Sequence, residues 1–276
     1  KKNKPKGIAV NGIPIKRSAE LMGIINIVLF SPEDLNIIKN GPSERRRFID
    51  MELCQLSRIY LDNLYRYSKV LNQRNHLLKQ ISYNESLKET LSVWDEQLIK
   101  YGTEIIKERK EFIEQINNIS ADIHKKLTGE KEFLNIQYEP NVDAEEFADK
   151  LYKNYNRDIY YQITHTGPHR DDIKFISNDM DLRTYGSQGQ KRTAALSLKL
   201  SEIEIVKKKT GDIPVLLLDD VLSELDRSRQ NYLLESIDDV QTIITCTGLE
   251  EFINHSLDVN RIYKIENGNV TDIEMR

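Results

Sequence analysis

Between Ser43 and Glu139 the chain contains no proline, and only Gly102 and Gly129 interrupt the stretch. The seven prolines, Pro5, Pro14, Pro32, Pro42, Pro140, Pro168 and Pro214, all lie outside it. Proline removes a backbone donor and clashes with the preceding turn, so a long stretch without it points to long helices. The apolar residues agree. Ile49, Leu53, Leu56, Tyr60, Leu64, Tyr67 and Leu71 recur at three- and four-residue steps, as do Leu87, Leu91, Trp94, Leu98, Tyr101 and Ile105. After a charged gap at Glu108 and Arg109 the stripe resumes with Phe112, Ile116, Ile119 and Ile123. Such stripes are seams along which helices pack. The polar run Ser82-Tyr83-Asn84-Glu85 divides the stretch into two antiparallel helices, each reaching on the order of 50 Å at about 1.5 Å per residue. That length predicts a helical lobe or arm over residues 43–139.

On either side the pattern is that of strands. Gly23 to Phe30 reads as a buried strand closed by Ser31-Pro32, and Val215 to Leu218 and Thr242 to Thr245 read as central strands of a parallel sheet. Ser228 to Ser236 reads as a helix between them, and Asn267-Gly268 joins Arg261–Glu266 to Asn269–Ile273 as a hairpin. The expected class is α/β, with a head formed by residues 1–42 and 140–276 and split by the long-helix insertion.

Forty basic residues against 44 acidic ones leave a formal charge of −4 over 276 residues. A generally basic nucleic-acid binder is excluded, so any such binding must use local patches. The visible clusters are Lys1, Lys2, Lys4 and Lys6; Arg45, Arg46 and Arg47; Lys191 and Arg192; and Lys207, Lys208 and Lys209. No run of about 18 uncharged apolar residues predicts a membrane-spanning helix. The opening KKNKPKGIAVNG lacks a signal-peptide core, and Cys54 and Cys246 make neither a disulfide framework nor a metal pair. A cytoplasmic location is expected.

Val215-Leu216-Leu217-Leu218-Asp219-Asp220 places two carboxylates at the carboxyl end of a buried strand, where open parallel sheets bind ligands. One acid there can hold Mg²⁺ while its neighbour orients or deprotonates a water. The pattern alone is unspecific. It is followed by Val221-Leu222-Ser223-Glu224-Leu225-Asp226 and preceded by Tyr185-Gly186-Ser187-Gln188-Gly189-Gln190-Lys191-Arg192-Thr193. The latter runs into a helix with Ala194, Ala195, Leu198 and Ile205 on its apolar side. Ser187 stands where an N-cap belongs, and free N–H groups beside Lys191 and Arg192 suit an anion; a capped helix without a ligand is the alternative. His165 and His169 are four residues apart, but Gly167-Pro168 denies them a common helix, so a turn is expected there and not a zinc site.

Together, in order and spacing, these segments resemble the ABC-type ATPases. Ser187-Gln188-Gly189-Gln190 is similar to the signature motif, Leu216 to Asp219 to the Walker B strand, Asp220 to the catalytic carboxylate, and Ser223 to Asp226 to the D-loop. The resemblance implies an ABC-type ATPase head, two copies of which sandwich ATP. The Ser187–Gln190 signature would face the γ-phosphate on the partner head. Asp219 would hold Mg²⁺, Asp220 the water, and Asp226 would communicate across the dimer. Val28 to Leu35, Gly41 to Asp50 and Thr166 to Asp172 narrow the resemblance to the RecF family, over nearly the whole chain. That family implies an ATP-dependent DNA-binding recombination mediator in DNA repair and replication. It acts with RecO and RecR to load RecA at gapped DNA, at junctions of single and double strands. Arg45, Arg46, His169, Arg170, Lys191 and Arg192 are then candidate DNA or phosphate contacts.

The sequence departs from the family at its front. No Gly-x-x-x-x-Gly-Lys-Ser/Thr occurs; Gly7 and Gly12 have the spacing, but Ile13-Pro14 follow. The expectation is a chain lacking roughly the first quarter of the parent, holding half of an ATP site. Asp220 also stands where most ABC ATPases have Glu, and no switch histidine follows Thr242-Ile243-Ile244-Thr245-Cys246-Thr247, so Thr245 or Thr247 would supply the polar contact. Both differences predict slow hydrolysis, a switch. The competing readings are a non-catalytic dimerisation module and an SMC-type structural head, whose heptad arrays are far longer.

Overall fold

The computed structural model describes residues 7–16, 18–237, 239–246 and 261–273. A hairpin of β1 (Ile8–Val10) and β2 (Ile13–Ile15) precedes β3 (Ile27–Phe30). Gly23, at φ 78°, turns the backbone out of the extended region, so the expected strand from Gly23 begins four residues later. After β3 the Ser31 N–H donates to the Asp34 carboxylate at 2.8 Å and the chain enters α1 (Leu35–Lys39). Helix α2 (Pro42–Leu56) starts on a proline, whose fixed φ suits the first helical position. Only Ser57 separates it from α3 (Arg58–Ile81), and the serine hydroxyl caps α3 by accepting from the Tyr60 N–H at 3.0 Å. Helix α4 (Leu91–Leu127), 37 residues long, packs back on α3 and also on the later part of the chain. The proline-free stretch therefore holds three long helices where two were expected, and it ends in a strand, β4 (Leu134–Glu139).

Two short helices follow, α5 (Phe147–Lys153) and α6 (Tyr155–Tyr161), then β5 (Asp172–Ser177) and β6 (Met180–Asp181). β4, β5 and β6 form an antiparallel sheet in that order. The α3–α4 seam does not stand free as an arm. Tyr67, Leu98, Ile105 and Phe112 share one core with Ile136, Phe147, Leu151 and Phe175, so residues 134–182 pack with the long helices. The distal end of the pair closes separately, with Leu91 against Leu77, Leu78 and Ile81.

The chain continues through α7 (Leu182–Tyr185), α8 (Gln188–Thr210), β7 (Val215–Asp219), α9 (Arg227–Glu235), β8 (Thr242–Thr245) and a hairpin of β9 (Ile262–Glu266) and β10 (Asn269–Ile273). Asn267 and Gly268 both have positive φ, as a tight hairpin turn requires. The parallel sheet has the order β3-β7-β8, with Leu29, Leu217 and Ile243 in register. Val28, Phe30, Leu216 and Leu218 bury one face against Leu196, Leu200 and Ile203 of α8 and Leu233 and Leu234 of α9. Leu127, the last residue of α4, joins this second core. Helix α8 lies between the two cores and is buried all round from Thr193 to Ile203, so the apolar side read from sequence is one of two. The opposite sheet face is not covered by the described residues: Leu29 is 48% and Ile243 56% exposed. Among the described residues no helix is long and apolar enough to cross a membrane.

Candidate functional site

At the carboxyl end of β7 the strand register ends on Asp219, opposite Thr245 of β8. The Thr245 hydroxyl donates to Asp219 Oδ1 at 2.6 Å, which fixes one carboxylate oxygen and leaves the other toward solvent. The next residue, Asp220, has φ 52°, a left-handed conformation uncommon for a residue with a side chain. Its N–H donates to the Thr245 carbonyl at 3.1 Å, so the strained turn is held by the neighbouring strand. Asp220 Oδ1 is buried without a hydrogen-bond partner. An unpaired buried carboxylate oxygen beside a half-free one is a fitting donor set for a hard divalent cation or its water. Ser223 donates its hydroxyl to the Asp220 carbonyl at 2.9 Å, and Asp226 caps α9 by accepting from the Arg229 N–H at 3.0 Å and pairing with its guanidinium. Asp219, Asp220, Ser223 and Asp226 thus lie along one edge of the sheet. Thr245, one of the two threonines expected to stand in for a switch histidine, is tied to Asp219, whereas Thr247 lies outside the described residues.

Ser187 to Gln190 form a second group, at the start of α8. The Ser187 hydroxyl accepts from the Gln190 N–H at 3.2 Å, and Gln190 Oε1 accepts from the Ser187 N–H at 2.9 Å, a reciprocal capping box. Ser187, Gln188 and Gly189 are exposed. Lys191 is held by the Arg183 carbonyl at 3.0 Å. Arg192 lines a crevice with Phe30, Ser31 and Pro32 after β3 and with Val221 and Leu225 after β7, so the first turn of α8 reaches the same sheet edge. Sequence reading missed Glu132 here, which accepts from Gln190 Nε2 at 3.3 Å. It sits in a loop far away in the chain, and no local pattern marks it.

The remaining basic candidates gather around Asp171 and Asp172. Arg45 is buried and uses its donors inside the protein: a two-pronged pair with Asp172 at 2.6 and 2.9 Å, and the Asn40 carbonyl at 2.7 Å. It is therefore a structural arginine, turned away from any surface phosphate. His169 is also mostly enclosed, between the Tyr67 hydroxyl and the Thr164 carbonyl, and burial holds its pKa down at about 4. A neutral ring with both nitrogens engaged offers nothing to a phosphate. Arg46 donates to the Asp171 carbonyl at 2.7 Å and lines a cleft of about 450 Å³ with Arg47, Ser43 and Met51. Burial, then the neighbouring Arg109 cation, lowers the Arg46 pKa. Arg170 is exposed.

Arg109, read as part of a charged gap, is instead the hub beneath this surface. It is 2% exposed and donates to the Tyr60 hydroxyl, Asp50, Asp171 and the Pro168 carbonyl at 2.6 to 3.0 Å. His165 pairs with the buried Asp158, and among the described residues no group of three or more His, Cys, Asp or Glu side chains is placed to hold a metal ion.

No family model matches the chain. The DNA replication and repair protein RecF of Lachnoclostridium phytofermentans is 64% identical over 270 residues, covering 98% of this chain and 75% of that protein. A solved structure of the recombination mediator protein RecF-ATPrS in the RecFOR pathway superposes with a TM-score of 0.87 at 38% identity, over 98% of this chain and 74% of that one. The Smc head domain of Pyrococcus furiosus shares the fold at a TM-score of 0.51 and 18% identity, over 97% of this chain and 68% of that one. The fold is that of an ABC-type ATPase head. With that identity sustained from end to end, the chain belongs to the RecF family of DNA replication and repair proteins.

Proposed function

We propose that this chain is the larger part of an ATP-driven, DNA-binding recombination mediator whose two heads close around nucleotide. The observation that carries the reading is the Asp219–Asp220 pair: two adjacent carboxylates at the sheet edge, one tied to Thr245 and one with a buried, unpartnered oxygen. Asp219 would hold Mg²⁺, which when bound neutralises phosphate charge. Asp220 orients the attacking water through the oxygen that the fold leaves unpaired. Phosphoryl transfer to water needs positioning and electrostatic stabilisation and no covalent nucleophile. Ser187, Gln188 and Gly189 are exposed on their own head, which suits residues that meet the partner's nucleotide.

No phosphate-cradling Gly-x-x-x-x-Gly-Lys-Ser/Thr occurs in these 276 residues, so the reading places that loop outside them. The helical lobe, with residues 134–182 packed on it, would act with the sheet-bearing head so that nucleotide state sets DNA grip. Arg46, Arg170, Lys191 and Arg192 remain the candidate phosphate contacts; such contacts make binding salt-dependent and weakly sequence-specific. RecO, RecR and RecA are the expected partners at gapped DNA.

The test is complementation in the full-length protein. Asp220→Asn and Ser187→Ala should each abolish turnover alone. Mixed one to one, they should recover about a quarter of wild-type turnover, because half the dimers are mixed and each has one intact composite site. No recovery, with both variants folded and dimerising, would refute the shared site.

A further inference from the structure

The capping box at Ser187 and Gln190 satisfies the start of α8 without outside help. Gln190 nevertheless uses the other end of its amide as well: Oε1 accepts inside the cap, and Nε2 donates to Glu132 Oε1 at 3.3 Å. A half-exposed amide could leave that donor to water, so the contact does more than satisfy it.

Glu132 is itself held from several sides. It lies in the loop between α4 and β4, where its N–H donates to the Thr128 hydroxyl at 3.3 Å, and Thr128 in turn donates to the His124 carbonyl at 2.9 Å. Its second oxygen, Oε2, is 3.5 Å from Nε2 of His124. Both atoms are buried and have no other partner. His124 is fully buried on α4, and its Nδ1 lies 3.0 Å from the Ser197 hydroxyl of α8. The charged and titratable groups facing it are Glu132 from the loop and Arg229 from α9. Burial above all keeps the imidazole neutral, with Arg229 acting in the same sense and Glu132 opposing. The Ser197 hydroxyl donates to the Thr193 carbonyl at 2.8 Å, so Nδ1 of the neutral ring carries the proton and donates to Ser197, while Nε2 faces Glu132 without one. The hydrogen-bonded run goes from Ser187 through Gln190 to Glu132 and on, by way of Thr128, to the last turn of α4.

We propose that Glu132 is a positioning residue: it pins Gln190 to the end of α4, so that the helical lobe sets the attitude of the Ser187–Gln190 turn presented to a second copy. The inference rests on the reading of that turn as one that meets the partner's nucleotide. Glu132 touches no reacting group, and its effect runs through Gln190. It should therefore leave a single head's own hold on nucleotide alone and weaken closure of the pair.

The test uses full-length protein, with sedimentation velocity for ATP-driven dimerisation and fluorescent-nucleotide titration for binding by the single head. Glu132→Asp keeps the charge but falls one methylene short of Gln190, and dimerisation should weaken about tenfold with nucleotide affinity within about twofold. Glu132→Gln keeps the reach, since its amide oxygen still accepts from Gln190, and should stay within about threefold of wild type. Wild-type dimerisation by Glu132→Asp overturns the proposal. So does an equal loss in both variants, which would mark a charge effect or general destabilisation. Ser187→Ala separates the two levels. If it loses turnover while Glu132→Asp dimerises as the wild type does, only the positioning role falls; if it too turns over normally, the underlying reading falls with it.

Discussion

Both ring nitrogens of His169 are engaged, Nδ1 with the Tyr67 hydroxyl at 2.7 Å and Nε2 with the Thr164 carbonyl at 3.0 Å. A carbonyl only accepts, so Nε2 carries the proton and Nδ1 receives the tyrosine's. With a folded pKa of about 4 against about 6.5 unfolded, the unfolded chain takes up the proton first as pH falls. The contribution is fully present above pH 6.5 and is lost as pH drops toward 4, by on the order of 3 kcal/mol. Urea unfolding at pH 7 and pH 4.5 should show that drop, and His169→Gln should lack much of it. The two neighbouring arginines make a contrast. Arg45→Ala strands Asp172 and the Asn40 carbonyl, and should cost about 3–5 kcal/mol, the range for breaking a buried pair. Arg46→Ala removes one charge-assisted bond to a carbonyl and should cost about 2 kcal/mol. Equal urea midpoints for the two variants would contradict this ranking.

Helix α4 shows how an element can be read and misread at once. Gly102 interrupts its sequence pattern, and a glycine in a helix interior costs about 1 kcal/mol relative to alanine. Here the missing methyl is occupied space: a Cβ would run into the Phe147 ring and come within 2.9 Å of Tyr67 Cε2. Phe147 and Tyr67 are buried and cannot give way, so Gly102→Ala should destabilise by about 1–2 kcal/mol despite its better helix propensity. A higher melting temperature for that variant would show that the rings can move. The helix itself was legible from periodicity, as were β7, β8, α9 and the last hairpin. Arg109 was not, because a charge on the apolar stripe reads as a gap until its partners, Asp50, Asp171 and Tyr60, arrive from elsewhere in the chain. The break at Ser57 was hidden for the opposite reason: the stripe from Ile49 to Leu71 runs on through a cap that bends the backbone for a single residue. Of the site, the Asp219–Asp220 edge and the Ser187 cap followed from short motifs. Glu132 and His124 did not, since their meaning lies in contacts across 58 and 73 residues.

The described residues form two large cores, a smaller cluster at the distal end of α3 and α4, and one open sheet face. Leu29, Leu217 and Ile243 stand side by side across three strands, with the outer two about half exposed among the described residues. An apolar stripe of this kind binds environment-sensitive dyes and promotes association. The 276-residue chain alone should therefore enhance fluorescence of an apolar dye, and a chain of the relatives' full length should do so less. Equal dye binding by the two would mean that the face stays open in both. The same two-core arrangement has a mechanical side. Helix α4 is rooted by Leu127 beside the sheet and closed off at Leu91 near its far end. At about 1.5 Å per residue it is about 55 Å long, so a tilt of about 5° at its root would sweep the tip through about 5 Å. A rigid rod seated next to Glu132 and His124 is a pointer, turning a change of an ångström or less at the root into a displacement on the scale of a side chain at the tip.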